Sequence, residues 1–273
     1  MSAVHPAAGH GAAAHRSSLR TFAVRAQSLA RLVCFPHAGG GAGAYRLWGF
    51  DAPWDVEVAA VQYPGREDRY AEPPVSVMSE LADAIGTDLV REATARPERV
   101  TVLFGHSMGA SVAYETARRL TAAGHPPAAL VVSGQPAPHR TRGGALHRAD
   151  DAELLADVRR LGGTSAGVLG HDALLRALLP TIRSDYRLIE TYRPRPGRRL
   201  DAPVTVLYAD DDPEVDAAEA QAWREVTDGP CDVGVFTGGH FYLEQRREAV
   251  LARVVARVRA ALPAAGAAWP SLP

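Results

Sequence analysis

Ser107 stands between two glycines in the run Gly105-His106-Ser107-Met108-Gly109. A serine hydroxyl is a weak nucleophile; it needs a base to take its proton, and the base needs an acid to orient it. The pentapeptide alone says little, because a chain of this composition contains it by chance roughly one time in ten. Its setting says more. It follows the apolar run Val100 to Phe104 and leads into Ala110 to Ala117, a helix-forming stretch. A strand–turn–helix of this kind is a nucleophile elbow. The turn strains the serine backbone and brings neighbouring chain so close that both flanks must be glycine. It also lifts the hydroxyl to a helix N-terminus, where free N–H groups favour developing negative charge.

The remaining parts are sought late in the chain. His240 lies in the loop 237–241, after an apolar run ending at Phe236 and before the last predicted helix. Of the ten histidines it alone follows a late strand, so it is the candidate base. His106 is too close to Ser107 to reach round to its hydroxyl and is expected to pack or shape the turn. His125, His139, His147 and His171 fall in loops or the helical insertion and are expected on the solvated surface. The acid should lie between nucleophile and base. Three candidates, Asp210, Asp211 and Asp212, follow the run Val204 to Tyr208 and precede Pro213. Spacing alone separates them poorly. Asp212 is preferred because it ends the loop and Pro213 suits the first position of the next helix; the other two would cap that helix or face water.

A tetrahedral intermediate also requires two backbone donors. Met108, directly after the nucleophile, supplies one. The other is expected from the loop His37-Ala38-Gly39-Gly40-Gly41 after the first strand, which points to Ala38. A glycine-rich loop at this place could also cradle a dinucleotide. Here Gly39 and Gly41 match the first two glycines of that fingerprint but Ala44 takes the third place. The next strand ends in Gln62 and Tyr63, not in an acid.

These residues need a scaffold that gathers strand ends. Arg31 to Phe35, Val56 to Val61, Val100 to Phe104, Ala129 to Val132, Val204 to Tyr208 and Asp232 to Phe236 read as strands. Ser79 to Ala95, Gly109 to Ala123, Ala217 to Val226 and Glu244 to Leu262 read as helices between or after them. Such alternation predicts an α/β class, a mostly parallel central sheet with helices on both faces, and with the nucleophile elbow at Ser107 it points to the α/β-hydrolase fold. From about 149 to 192 the alternation stops, and the stretches Asp151 to Leu161, Asp172 to Leu179 and Thr181 to Tyr192 predict a helical insertion. The domain is expected over 29–262, with loose tails over 1–28 and 263–273.

Composition narrows the partners. The 273 residues carry a formal net charge of −1, and all 30 basic residues are arginine. Lysine-based Schiff-base and P-loop chemistry is thereby excluded. Near-neutral charge offers no reason for a nucleic-acid or anionic-membrane partner. No apolar run approaches the ~20 residues of a membrane helix, and the N-terminus lacks a signal-peptide pattern, so a cytoplasmic monomer is expected. Cys34 and Cys231 are too far apart in sequence to suggest a metal cluster or a disulfide framework, and His5, His10 and His15 are too loosely spaced to make a convincing metal site. No metal or cofactor is expected.

Beyond these motifs the chain resembles a family. Phe35 to Gly41 followed by Tyr45 and Trp48, Gln62 to Arg66, Gly105 to Ala110, Leu161 to Gly163, Leu179 to Tyr186 and Gly238 to Tyr242 are together similar to the type II thioesterases. Those are the discrete editing enzymes of polyketide synthase and nonribosomal peptide synthetase pathways. The resemblance covers about Leu29 to Leu262. It implies hydrolysis of acyl thioesters on the phosphopantetheine arm of acyl or peptidyl carrier proteins. It also implies Ser107 as nucleophile, His240 as base, Asp212 as acid, Ala38 and Met108 as oxyanion donors, and the helical insertion as a lid over the acyl pocket. Leu154, Leu155, Val158, Leu161, Leu174, Leu178 and Ile182 are candidates to line an acyl pocket, though packing of the lid is the expectation for most. The competing readings are a small-ester esterase, a chain-releasing thioesterase domain, and a catalytically idle scaffold that binds carrier protein.

Overall fold

The computed structural model describes residues 17–140, 143–162 and 172–263. Seven strands form one sheet in the order β1-β3-β2-β4-β5-β6-β7. They are β1 (Leu19–Thr21), β2 (Ala30–Phe35), β3 (Val56–Val61), β4 (Val100–His106), β5 (Ala129–Ser133), β6 (Val204–Ala209) and β7 (Cys231–Phe236). All neighbours from β3 to β7 run parallel; only β1 pairs antiparallel, on the edge of β3.

The central strands are apolar on both faces because both faces are covered. Alternate residues of β2 divide accordingly. Val33 and Phe35 join a core with Leu81, Ile85 and Leu89 of α2 (Met78–Ala95) and Val112 and Leu120 of α3 (Met108–Ala122). Leu32 and Cys34 face the other way, onto Trp48 of α1 (Arg46–Asp51) and onto the last helix through Val250, Val254 and Val258. Cys34 is wholly buried there.

The stretch read as an N-terminal tail contains β1. Leu19 pairs with Val61 and Thr21 with Ala59, and the hydroxyl and N–H of Ser18 both donate to Asp88 Oδ2 at 2.7 Å. Three residues without apolar alternation carry no strand signal; antiparallel pairing with β3 makes this one.

The lid contains α4 (Asp151–Leu161) and α5 (Asp172–Thr191). The expected break at Pro180 does not occur. Proline removes one helical hydrogen bond, but Leu179 and Ile182 on either side pack against the buried Leu154, and the helix continues. After β6 the chain makes α6 (Ala217–Gln221), which continues as a 3-10 turn to Val226. Its N-cap is Asp216, which accepts from Glu219 N while the Glu219 carboxylate accepts from Asp216 N. Pro213 therefore lies outside the helix it was expected to open. The terminal helix divides at Arg246 into α7 (Tyr242–Gln245) and α8 (Arg247–Ala260). Among the described residues no helix is long and apolar enough to cross a membrane.

Candidate active site

Ser107 joins β4 to α3 with φ +53° and ψ −129°, a strained conformation for a residue with a side chain. The flanking glycines are required by close approach. A Cβ on Gly105 would strike the Gly109 carbonyl, and one on Gly109 would strike the Phe35 carbonyl. The strain is held by β5, whose Ser133 carbonyl accepts from Ser107 N at 2.8 Å.

The ends of β6 and β7 bring the other two groups together. His240 Nδ1 lies 2.9 Å and 3.0 Å from the two carboxylate oxygens of Asp212. A carboxylate only accepts, so the ring proton sits on Nδ1. Both side chains are essentially fully buried. His240 Nε2 is also buried, and it has no hydrogen-bond partner among the described residues. His240 and Ser107 both line one cavity. The three aspartates separate by environment: Asp210 and Asp211 are exposed. Neither caps the next helix. Asp210 Oδ1 instead accepts from Gly238 N at 3.0 Å, tying down the loop that carries His240.

His106 is fully buried and shapes the site, as its position implied. Its Nδ1 meets Ser133 Oγ at 2.9 Å, and that hydroxyl meets the Tyr242 hydroxyl at 2.7 Å. The chain of contacts links β4 to the helix just after His240. The rings of His106 and His240 lie 5.0 Å apart. Burial, and then the proximity of His240 and His37, push the His106 pKa well below the ordinary histidine value, keeping it neutral.

The glycine-rich loop is splinted from several sides. Tyr45 and Tyr63 donate to the carbonyls of Phe35 and Pro36, and Gln62 Oε1 accepts from Ala42 N at 2.9 Å. Within the loop Gly39 N donates to Asp185 Oδ2 at 2.7 Å and Gly40 N to the His37 carbonyl at 3.0 Å. Both N–H groups are thus engaged. Ala38, next to them, lines the cavity with Ser107 and Met108. Met108 opens α3, where the first N–H groups have no partner inside the helix.

The cavity has a volume of about 610 Å³ and reaches from Ser107 under the lid. Val158, Leu161, Leu178 and Ile182 line it, and Val158, Leu178 and Ile182 also pack within the lid, so for these three the two roles coexist. Leu154 and Leu155 instead pack within the lid. The Leu174 side chain lies outside the described residues, as do His5, His10, His15 and His171. Leu146, Leu175 and Ile189 also line the wall and went unrecognised in the sequence; their helical spacing marks them as apolar but not which way they face. His147 departs from the expected surface role. Its side chain is buried against Glu190, which also accepts from the backbone N–H groups of Leu146 and His147.

A parallel sheet with a strained serine after a central strand, a late Asp–His pair and a lid over the resulting cavity defines an α/β-hydrolase. The comparisons narrow the class. The thioesterase-domain family matches residues 30–258. The "Probable cadicidin biosynthesis thioesterase" of Streptomyces griseus is 48% identical over 220 residues, which span 81% of this chain and 60% of that protein. Thioesterase PikA5 of Streptomyces venezuelae is 43% identical over 232 residues, 84% of this chain and 80% of that one. The solved type II thioesterase BorB from the borrelidin biosynthetic cluster superposes with a TM-score of 0.81 at 45% identity, covering 90% of this chain and all of BorB (100%). The chain belongs to the thioesterase family, thioester hydrolases of the serine hydrolase type, and groups with the type II thioesterases of polyketide and nonribosomal peptide pathways.

Proposed function

We propose that this enzyme removes aberrant or stalled acyl groups from the phosphopantetheine arm of acyl or peptidyl carrier proteins, through an acyl-enzyme on Ser107. The observation that carries this reading is the orientation of His240. Asp212 holds its Nδ1, its Nε2 has no hydrogen-bond partner among the described residues, and His240 lines the same cavity as Ser107. The type II thioesterases among its relatives support the choice of a thioester over an oxygen ester.

In the first step Ser107 Oγ attacks the thioester carbonyl carbon while His240 Nε2 takes the hydroxyl proton. Asp212 stabilises the imidazolium without itself taking the proton. The oxyanion is met by the N–H groups of Ala38 and Met108. The carbon–sulfur bond breaks and His240 returns the proton to the departing pantetheine sulfur. Water then attacks the acyl-serine carbonyl, giving a proton to His240. The acid leaves, and Ser107 recovers its proton. The apolar wall formed by Val158, Leu161, Leu178 and Ile182 would accommodate the acyl chain.

Two measurements test the reading. Ser107→Ala is expected to lower kcat on short acyl thioesters by at least about 10⁴-fold while carrier-protein binding stays nearly unchanged. Undiminished turnover in that variant rules out Ser107. A hydrolysis panel then compares the same acyl groups on carrier protein and on a small thiol. Higher kcat/KM on the carrier is expected; equal rates, or faster cleavage of simple oxygen esters, would reassign the enzyme as a general esterase.

A further inference from the structure

Two sequence stretches take no part in the proton transfers above: Gln62 to Arg66, and Leu179 to Tyr186. They meet in the fold. Arg66 lies in the turn after β3, and Asp185 lies on lid helix α5, 119 residues later. The guanidinium donates through Nη1 to Asp185 Oδ2 at 2.6 Å and through Nη2 to Oδ1 at 2.8 Å. Nη1 also reaches the Gly40 carbonyl at 2.9 Å. Asp185 Oδ2 in turn accepts from Gly39 N at 2.7 Å. The two side chains retain only 4% and 2% exposure. Beside them Thr181 Oγ1 donates to the Gly65 carbonyl at 3.0 Å. Gly39 has φ +77°, and a Cβ there would lie 3.1 Å from Ile182 Cγ1, so the lid helix touches the loop directly.

We infer that Arg66 and Asp185 are positioning residues that hold the Ala38 N–H where the oxyanion develops, so that seating of the lid helix and completion of the oxyanion hole are one event. The inference rests on the proposed role of Ala38. Ala38 lies between held points: Pro36 O is bound by Tyr63, Gly39 N by Asp185 and Gly40 O by Arg66. A buried ion pair is a poor source of stability, since apolar residues of like volume often serve as well or better. What a bidentate arginine–carboxylate pair provides is fixed geometry. Here both carboxylate oxygens are engaged, and the pair spans two segments that no secondary structure joins.

The test compares Asp185→Asn and Arg66→Lys with the wild-type enzyme on a small acyl thioester. Asp185→Asn loses the bidentate acceptor and is expected to lower kcat roughly a hundredfold, with KM changed by less than about threefold. Affinity for an alkylboronic acid, whose serine adduct places an oxygen in the oxyanion hole, should fall in parallel. The pH profile of kcat/KM should not move, because His240 and Asp212 are untouched. Arg66→Lys keeps the charges paired, which protects folding, yet cannot hold both carboxylate oxygens and Gly40 in one plane; roughly a tenfold loss in kcat is expected. A folded Asp185→Asn enzyme with wild-type kcat, or with its loss confined to KM, overturns the inference. If Asp185→Asn does not fold, an Arg66→Lys enzyme with unchanged kcat and boronate affinity overturns it. The catalytic reading fails separately: it falls if Ser107→Ala retains turnover, whatever Asp185→Asn does.

Discussion

The strand ends and the lid solve different problems with different interactions. Ser107, Asp212 and His240 follow β4, β6 and β7, three parallel strands whose registers are locked by continuous ladders. Their placement depends on backbone: glycine flanks against carbonyls, Ser107 N on Ser133 O, and Asp210 on Gly238 N. The lid has a small core of its own, built around Leu154, Leu179 and Ile182. Side chains fasten it to the body, notably Asp185 with Arg66 and Thr181 with the Gly65 carbonyl. The candidate catalytic residues thus sit at the ends of paired strands, while much of the cavity wall comes from a helical segment fastened to them by side chains. Substitutions at strand ends should alter kcat for every substrate, as should loss of the Asp185 contact to the glycine-rich loop, whereas substitutions of the cavity-lining side chains of the lid should discriminate among substrates.

The largest effect should come from the strand ends. Asp212→Asn is expected to lower kcat about 10⁴-fold on all acyl thioesters, because the wrong tautomer of His240 results. Asp210→Asn and Asp211→Asn should each stay within about tenfold of wild type, since neither touches the ring. Steady-state kinetics on the three variants decides it, and a collapse in Asp210→Asn instead would relocate the acid. A smaller effect is expected in the lid. Leu178→Trp narrows the cavity and should reduce kcat/KM for long acyl chains by roughly 10–100-fold while sparing acetyl thioesters. A uniform loss across chain lengths would mean that lid and strand ends are not separable in this way.

The smallest effect concerns stability and pH. His106 is held neutral in the fold, whereas in the unfolded chain it titrates at about 6.5. Below that pH the unfolded state binds a proton that the folded state does not, so stability falls as pH falls, by at most about 1.4 kcal/mol per unit for one group. Above it the contribution is complete. His106→Asn should therefore flatten the dependence of Tm on pH between about 6.5 and 5.5 relative to wild type. Parallel Tm curves for the two proteins would show that His106 is not the group responsible.

Ser107, His240 and Asp212 stand out as candidates in the sequence because each sits in a local pattern: a glycine-flanked turn, a late loop, an acidic strand end. The reason given for Asp212 was only half right. Pro213 does not open the helix; burial against His240 is what sets this aspartate apart from its neighbours. His147 was misjudged for a related cause, since nothing beside it in sequence announces Glu190, 43 residues away.

Local regularities of the chain thus determined the parallel α/β frame, the helical insertion and the residues able to do chemistry, because hydrophobic period, glycine and turn chemistry act over a few neighbouring residues. Tertiary structure alone decided which apolar lid residues face the cavity, that His147 is buried against Glu190, that Leu19 to Thr21 forms an edge strand, and that Arg66 meets Asp185. Each of those depends on the position of an atom tens of residues away, and only the closed fold supplies it.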